Sequence, residues 1–329
     1  MNDFLSCDWG TSTLRISLVN GSNGGIICTE SADQGMAGVY NLWLLTGDAG
    51  IVNRILFYLG VLQQHIKSIS SKTGRPLNGH RLIISGMASS SIGFIELPYS
   101  ELPFSLTGEG LQMKHLPAQE GFGYEVTVIS GVKSNDDVMR GEETQLMGCV
   151  NINHGNINNQ VFLLPGTHSK HICINNNQVT GFKTYMTGDF FGLLSQKSIL
   201  SNSVEKEDNM ENADCLKAFL KGVTDSANLN LLNAAFKVRT NSLFDVYTKK
   251  QNFNYLSGLL IGSELQDLNN FYTAQIHLLC GGKLEHYYSI ALKALGFADK
   301  LQTYPAQWVD EAVARAHYHI NKQLEANHG

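Results

Sequence analysis

The chain has 329 residues, of which 43% are hydrophobic and 16% are charged, and its formal net charge is −5. This length suffices for two domains with separate cores, and the composition is that of a globular enzyme rather than a disordered chain. The negative charge and the lack of a Lys/Arg run argue against a nucleic-acid surface, so the expected partner is a small molecule.

The sequence also predicts a cytoplasmic location. The first residues, Met1-Asn2-Asp3, lack the basic segment of a signal peptide, and no apolar stretch is long enough for a membrane span. No C-x-x-C pair occurs among the six cysteines, which we interpret as buried thiols in a reducing compartment. They are Cys7, Cys28, Cys149, Cys173, Cys215 and Cys280.

The first half of the chain predicts five strands around one helix. Apolar residues recur at helical spacing from Ile51 to Ile66, and Asp48 is the candidate cap of that helix. The strands are Phe4–Asp8, Leu14–Val19, Gly25–Glu30, Arg81–Ser85 and Glu125–Ile129. Strands that alternate with helices indicate a mixed α/β sheet.

The second half repeats this plan, with strands at Gln160–Leu164, Lys170–Ile174, Val179–Tyr185 and Ile276–Cys280. Helices are expected near Asp189–Leu200, Asn212–Val223, Leu229–Val238, Tyr255–Phe271, Lys283–Gly296 and Ala306–Leu324, and the polar stretch Ser201–Asn212 is expected to be an exposed loop. We therefore predict two α/β domains, residues 1–135 and 136–329, with the last helix packing back on the first domain.

One short segment occurs twice without a gap. Residues Gly10-Thr11-Ser12-Thr13-Leu14-Arg15 align with Gly166-Thr167-His168-Ser169-Lys170-His171, and each copy predicts strand, Gly-Thr turn, strand. A turn of small hydroxyl residues offers N–H groups and hydroxyls in one concavity, which suits a phosphate. The alternative is a pair of ordinary hairpins.

The two copies differ at Asp8, which precedes the first turn, because Leu164 stands at the corresponding position of the second copy. A carboxylate beside bound phosphate is repelled unless a cation lies between them, and Mg²⁺ binds through one or two carboxylates plus waters. Asp8 is therefore the candidate metal ligand. Its alternative role is a turn carboxylate that bonds its own backbone.

Two other features suit a nucleotide. His168 and Lys170 would place positive charge at the second turn, although His168 could equally act as a neutral hydrogen-bonding residue there. Gly281-Gly282-Lys283 links a buried strand to a helix, so this turn allows close backbone approach and offers unpaired N–H groups. An ordinary strand-to-helix turn is the alternative for the second feature.

Taken together, the motifs resemble those of the 2-dehydro-3-deoxygalactonate kinases, within the actin-like ATPase superfamily of sugar kinases and Hsp70 relatives. The matching segments span almost the whole chain, and the polar insertion around Ser201–Asn212 departs from the pattern. They are Asp8-Trp9-Gly10-Thr11-Ser12-Thr13-Leu14-Arg15, Val138-Met139-Arg140-Gly141-Glu142-Glu143-Thr144-Gln145-Leu146, Leu164-Pro165-Gly166-Thr167-His168-Ser169-Lys170, Met186-Thr187-Gly188-Asp189 and Ser257-Gly258-Leu259-Leu260-Ile261-Gly262.

This resemblance implies two actin-like (RNase H-like) domains, each a mixed five-stranded sheet flanked by helices, with the nucleotide cleft between them. It also implies an ATP-dependent kinase that uses Mg²⁺ to phosphorylate the C6 hydroxyl of a 2-oxo-3-deoxy sugar acid in galactonate breakdown. Its phosphate-binding residues would be the two Gly-Thr turns with Arg15, and its adenosine site would be the Gly281–Lys283 turn.

Transfer of a phosphoryl group to a hydroxyl needs one carboxylate within hydrogen-bond reach of that hydroxyl. Glu142 is the first choice for this base, because Gly141-Glu142-Glu143 resembles the Gly-Asp-Gln of related sugar kinases. Glu143 and Asp137 are the runners-up. The alternative role is a carboxylate that complements a helix dipole, worth only about 0.3–1 kcal/mol.

Several residues are candidates for the sugar-acid pocket. Arg140 suits the substrate carboxylate, since a guanidinium binds carboxylates through two parallel hydrogen bonds, although a salt bridge to Glu143 is the alternative. The loop Gly86-Met87-Ala88-Ser89 would line the same pocket. Asp189 is expected to be a helix N-cap first and a substrate ligand second.

Two rival functions stay open at this point. An actin-like nucleotide switch would hydrolyse ATP without a sugar acid, and a kinase of another acceptor would use a hexosamine or a different aldonate. The sequence does not fix the acceptor's stereochemistry at C4, and it leaves both a monomer and a homo-oligomer open.

Overall fold

The computed structural model describes residues 2–47, 50–118, 121–150, 158–207, 212–271 and 273–328. The chain divides into two compact units. Unit 1 comprises residues 1–156, 176–181 and 307–329, and unit 2 comprises residues 157–175 and 182–306. Unit 1 thus extends past the predicted boundary at residue 135, and it includes the last helix.

The strands, in chain order, are β1 (Phe4–Trp9), β2 (Leu14–Val19), β3 (Ile26–Ala32), β4 (Arg81–Gly86), β5 (Ser100–Glu101), β6 (Phe104–Ser105), β7 (Met113–Leu116), β8 (Glu125–Ile129), β9 (Val132–Lys133), β10 (Val138–Met139), β11 (Gln160–Leu164), β12 (Ser169–Asn175), β13 (Gln178–Tyr185), β14 (Gln275–Leu278) and β15 (Leu301–Thr303).

The α-helices are α1 (Met36–Leu45), α2 (Ile51–Thr73), α3 (Glu142–Cys149), α4 (Thr187–Gln196), α5 (Ala213–Asn228), α6 (Leu231–Leu243), α7 (Lys249–Leu265), α8 (Gly282–Ala294), α9 (Ala306–Asp310) and α10 (Ala312–His328). Short 3₁₀ segments occur at Met87–Ser89, Ser201–Ser203, Gln266–Phe271 and Ala298–Lys300.

The main sheet of unit 1 has the order β3-β2-β1-β4-β8-β7. β1, β2 and β3 are antiparallel neighbours, whereas β1, β4 and β8 run parallel. Strand β1 is central and nearly fully buried, as expected of a strand covered on both faces. Helix α2 packs its predicted stripe into this core through Leu59, Leu62 and Ile66, while Ile51 at its start is exposed.

In unit 2 the order β15-β14-β11-β12-β13 repeats the same topology. β11 and β12 are antiparallel, and β11, β14 and β15 run parallel. The short strand β6 pairs with Gln178 and Val179, at the start of β13, and all of these paired residues belong to unit 1.

The predicted α/β class with one mixed sheet in each half is therefore confirmed. Both sheets place an antiparallel pair, β1 with β2 and β11 with β12, beside two further parallel strands, and a repeated strand order of this kind fits the repeat in the sequence. The sheet of unit 1 has six strands rather than the expected five, because β7 adds an antiparallel edge strand next to β8.

Three local predictions differ from the structure. Helix α1 lies between β3 and α2, where no separate helix was predicted, and the last predicted helix is divided into α9 and α10. Ser203 is fully buried rather than part of an exposed loop, and its carbonyl accepts from the Asn252 side chain. The predicted cap Asp48 lies outside the described residues, and Gly50 is the N-cap of α2.

Among the described residues, no helix combines the length and the hydropathy that crossing a membrane requires.

Candidate active site

The first Gly-Thr turn, residues 10–13, joins β1 to β2 and rests on the start of α1. The N–H groups of Gly35, Met36 and Ala37 donate to the carbonyls of Ser12 (3.1 Å), Gly10 (2.9 Å) and Thr11 (3.2 Å). Thr11, Ser12 and Thr13 are exposed. The turn therefore directs its carbonyls toward the helix and leaves its hydroxyl residues at the surface, which suits the predicted anion nest.

Asp8 lies near the end of β1, opposite Arg15 of β2 and beside Ser85 of β4. Burial raises the pKa of the Asp8 carboxyl, and the charge of Glu142 raises it further, while Arg15 lowers it. Two carboxylates therefore lie within electrostatic range of each other, and the buried Ser85 hydroxyl has no hydrogen-bond partner among the described residues.

This donor set fits a Mg²⁺ ion. Mg²⁺ binds through one or two carboxylates and keeps several waters, so it needs no cluster of three protein ligands. Within the described ranges, no group of three or more His, Cys, Asp or Glu side chains could hold a metal. Asp8 remains the candidate ligand, and Glu142 supplies a second negative charge nearby.

Arg15 also contacts the C-terminal part of unit 1. Its guanidinium donates to the Asp310 carbonyl at 2.9 Å, and 43% of its side chain is exposed. Its predicted contact with phosphate stays a prediction.

The two glutamates at the start of α3 occupy different environments. Glu143 is fully buried, and its carboxylate accepts from the Gly141 N–H at 2.7 and 2.9 Å and from the Thr144 hydroxyl at 3.1 Å. Burial and the neighbouring Glu142 raise the pKa of Glu143 to about 8. Glu143 is therefore held by its own helix start.

Glu142 is only partly buried, and it accepts from the Arg140 N–H at 2.9 Å. Asp137 instead closes a polar turn, since its carboxylate accepts from the Val138 N–H at 2.7 Å and its own N–H donates to Ser134. The geometry thus favours Glu142 among the three candidate bases.

Arg140 and Ser89 are brought together in unit 1. The Arg140 guanidinium donates to the Ser89 hydroxyl and lies over the Tyr99 ring, 4.3 Å from its centroid. Its Nε atom is buried without a partner in the described part of the chain. The alternative salt bridge is not formed, because Glu143 binds Gly141 instead.

The residues of the predicted sugar-acid loop, Gly86 to Ser89, lie in different environments. Gly86 ends β4, and Ser89 closes the 3₁₀ turn that follows, with its hydroxyl 3.3 Å from the Gly86 carbonyl. Ala88 lies in the hydrophobic core and Met87 packs against it. The side chain of Ala88 therefore does not face a ligand.

The second Gly-Thr turn, in unit 2, joins strands whose register differs by one residue from that at the first turn. Leu164 pairs with Lys170 around residues 165–169, the last of which begins β12, whereas Trp9 pairs with Leu14 around residues 10–13. Thr167 and His168 are exposed, but Ser169 and Lys170 are buried, and the Lys170 ammonium donates to the His168 carbonyl at 3.3 Å. The ungapped sequence repeat therefore does not give the same strand register.

The start of α4 lies against this turn, as α1 lies against the first. The Asp189 N–H donates to the Thr167 carbonyl at 3.1 Å. The prediction that Asp189 is the N-cap is wrong, because Met186 holds that position and Asp189 is the third residue of the helix. Its carboxylate lies 4.0 Å from Nε2 of His168.

The Gly281–Lys283 turn leads from β14 into α8. Gly281 is the N-cap and Gly282 begins the helix with a φ of +63°. No heavy atom lies within 4 Å of the position of a Cβ on Gly282, and both Gly282 and Lys283 are exposed. The turn thus has an open side on which a ligand could lie.

Unit 2 contains a polar cluster that was not predicted from the sequence and that we call the Glu264 cluster. Its members are Glu264 of α7, His171 and Ser169 of β12, Thr187 of α4 and Tyr288 of α8. All hydrogen bonds in it lead to the Glu264 carboxylate or to the Gly-Thr turn. Glu264 follows the apolar run Leu259-Leu260-Ile261 on a buried helix, which is the sequence signal that could have indicated it.

Comparison with known proteins identifies the family of this chain. The family model described as 2-keto-3-deoxy-galactonokinase matches residues 8–315, a range that begins at Asp8. The 2-dehydro-3-deoxygalactonokinase of Escherichia coli (strain K12) is 28% identical over 300 residues, which are 89% of this chain and 90% of that protein. A probable 2-dehydro-3-deoxygalactonokinase of Rhizobium meliloti (strain 1021) is 28% identical over 268 residues, which are 80% of this chain and 79% of that protein.

A crystal structure extends the likeness to the fold. It is that of a protein from Sinorhizobium meliloti with a provisional 2-dehydro-3-deoxygalactonokinase name, 26% identical, with a TM-score of 0.77 over 97% of this chain and 96% of that chain. The matched range includes both Gly-Thr turns, the Arg140–Glu143 segment and the Gly281–Lys283 turn. The chain therefore belongs to the 2-keto-3-deoxy-galactonokinase family.

Proposed function

We propose that this chain transfers the γ-phosphoryl group of ATP to the C6 hydroxyl of 2-dehydro-3-deoxygalactonate. The acceptor oxygen forms a bond to phosphorus, the bond between phosphorus and the β,γ-bridging oxygen breaks, and ADP leaves. The hydroxyl proton passes to a carboxylate. Membership of the kinase family supports this reaction and ATP as the phosphoryl donor.

The observation that carries the proposal is the approach of the start of α3 to the ends of β1 and β4 in unit 1: a Cβ on Gly141 would stand 3.4 Å from the Cα of Gly86, which pairs with Trp9, the residue after Asp8. This packing brings the segment of the candidate base to the strand that carries the candidate metal ligand. Glu142 accepts the proton, and Asp8 binds Mg²⁺. The ion would neutralise phosphate charge when bound. The Arg140 guanidinium, with its unpartnered Nε, binds the carboxylate of the sugar acid.

The two Gly-Thr turns bind phosphate, each within its own unit. Thr11, Ser12 and Thr13 offer exposed hydroxyls, and Thr167 and His168 are the exposed residues of the second turn. The Gly281–Lys283 turn lies beside the adenosine, as its open side allows. All six cysteines are unpaired thiols, which suits the cytoplasm.

A coupled assay of ADP formation by the full chain tests this function. The acceptors are 2-dehydro-3-deoxygalactonate, the corresponding gluconate derivative, hexoses and hexosamines, and one reaction contains MgATP alone. We expect ADP only with a 2-oxo-3-deoxy sugar acid and most rapidly with the galactonate derivative. ADP formation at the same rate without an acceptor would instead identify a nucleotide switch, and a preference for hexosamines would identify a different kinase.

A further inference from the structure

The carboxylate of Glu264 is almost completely buried, with only 1% of its side chain exposed, and it collects three hydrogen bonds. Its Oε1 accepts from Nε2 of His171 at 3.0 Å, and its Oε2 accepts from the hydroxyls of Thr187 at 2.5 Å and Tyr288 at 2.6 Å. A carboxylate can only accept, so these contacts fix the direction of every bond around it. A buried carboxylate needs such donors, because leaving it unpaired is strongly unfavourable.

One arm of the Glu264 cluster reaches the N–H side of the second Gly-Thr turn. Since the Tyr288 hydroxyl donates to Glu264, its oxygen accepts from the Ser169 hydroxyl at 3.1 Å. The Ser169 oxygen in turn accepts from the Gly166 N–H at 3.3 Å. This chain of bonds holds the first residue of the turn's Gly-Thr pair in one orientation.

A second arm reaches the carbonyl side of the same turn. Thr187, the first residue of α4, is bonded to Glu264, and the next two residues of the helix contact the turn. A Cβ on Gly188 would stand 2.6 Å from the Gly166 carbonyl oxygen, and the Asp189 N–H donates to the Thr167 carbonyl. Both faces of the turn are thus tied to one carboxylate.

We infer that Glu264 is a positioning residue that sets the geometry of the second Gly-Thr turn, and through it the affinity for the phosphates of ATP. The inference rests on the proposed kinase function. Glu264 acts through Tyr288 and Ser169 on one side and through Thr187 on the other. A substitution of Tyr288 or of Thr187 therefore removes one of these two connections without changing a residue of the turn.

The test measures the dissociation constant of a nonhydrolysable ATP analogue by calorimetry, together with the KM of ATP and of the sugar acid. Tyr288→Phe and Thr187→Val each remove one hydroxyl and nearly preserve side-chain volume. Loss of one hydrogen bond should weaken analogue binding about five-fold in each variant. The KM of the sugar acid should not change, and Thr187→Ser, which keeps the hydroxyl, should bind the analogue like the wild type.

The matched control is Tyr255→Phe. Tyr255 is as buried as Tyr288 and donates to a carboxylate of the same unit, Asp225, at 2.9 Å, but that pair is no part of the Glu264 cluster. The Tyr255→Phe variant should lose as much stability as Tyr288→Phe but bind the analogue like the wild type. Equal weakening in Tyr255→Phe and Tyr288→Phe, or unchanged binding in both Tyr288→Phe and Thr187→Val, would overturn the inference.

Because the test measures binding of the analogue rather than turnover, a failure of the Glu264 inference can be distinguished from a failure of the kinase proposal. A wild-type chain that binds ATP but phosphorylates none of the acceptors would refute the kinase proposal, and the comparison of variants by calorimetry would still decide the role of Glu264. A wild-type chain that binds no ATP analogue would overturn both.

Discussion

Gly188 lies so close to Gly166 that a Cβ on residue 188 would stand 2.6 Å from the Gly166 carbonyl oxygen. The same relationship recurs in unit 1, where a Cβ on Gly35 would stand 2.3 Å from the Thr11 carbonyl oxygen. In each unit, a glycine before or within the first turn of a helix lets that helix rest directly on a Gly-Thr turn.

We therefore expect Gly188→Ala to displace the second turn. Overpacking of this kind typically lowers the free energy of unfolding by about 1–3 kcal/mol, and the KM of ATP should rise with it. Gly192→Ala is the matched control, because it lies in the same helix with no heavy atom within 4 Å of its Cβ position. Thermal unfolding and steady-state kinetics measure both effects, and equal behaviour of the two variants would contradict the proposed close contact.

Glu142→Gln should lower kcat by about 10²–10⁴-fold, because the amide keeps the size of the side chain but cannot accept the proton. Analogue binding should persist. Glu143→Gln should be much milder, since the Glu143 carboxylate is engaged by Gly141 and Thr144 rather than by a ligand. If instead Glu143→Gln or Asp137→Asn is the inactive variant, that residue is the base.

The contribution of Glu143 to stability should fall as pH rises from about 5 to 8. The pKa of Glu143 is raised to about 8 in the folded chain, so in this pH range the unfolded chain has lost the Glu143 proton while the folded chain retains it. A rise in pH therefore favours the unfolded chain. Below about pH 6.5, His277 and His317 make the opposite contribution, because burial lowers their pKa values to about 4 and about 3. The slope from one such group is at most about 1.4 kcal/mol per pH unit. Between about pH 6.5 and 8, the free energy of unfolding, measured by denaturant titration, should decline less steeply with pH in Glu143→Gln; an identical decline would exclude Glu143 as its source. Asp8 contributes a slope of the same sign that Glu143→Gln retains, since the pKa of Asp8 is also raised.

Asp8→Asn should abolish Mg²⁺-dependent turnover, with a loss of at least about 10²-fold in kcat. It should not destabilise the chain, because burial disfavours the charged carboxyl and Glu142 repels it, and together these outweigh the attraction of Arg15. Activity titrated against Mg²⁺, compared with the melting temperature of each protein, tests both statements. Retention of most of the Mg²⁺-dependent activity would remove Asp8 from the site.

Gly282→Ala should raise the KM of ATP more than that of the sugar acid. Its positive φ adds a backbone strain of about 1–2 kcal/mol for any residue with a Cβ. Gly74→Ala carries the same strain, because Gly74 has a φ of +66° with no heavy atom within 4 Å of its Cβ position, but it ends α2 in unit 1. Similar ATP kinetics in the two variants would assign the Gly281–Lys283 turn to folding alone.

Part of the candidate site follows from local sequence. Asp8, Gly10 and Gly166 were predicted from a repeated turn and a single acidic difference, which are properties of short segments. Lys170 shows the limit of this reasoning, because its spacing suggested a phosphate ligand whereas the structure buries it in β12. The one-residue difference between the two hairpin registers separates the positions that the alignment had equated.

The sequence by itself determined the alternating α/β plan, the two Gly-Thr turns and the family resemblance, because hydrophobic period and turn chemistry are set by neighbouring residues. Only the tertiary structure decided that the buried Glu143 carboxylate bonds Gly141 and that the starts of α1 and α4 pack against the two turns. It also decided that Glu264 is hydrogen-bonded to His171, which lies 93 residues away in the chain. Contacts of this kind depend on which helix packs on which strand, and no local pattern of residues encodes that choice.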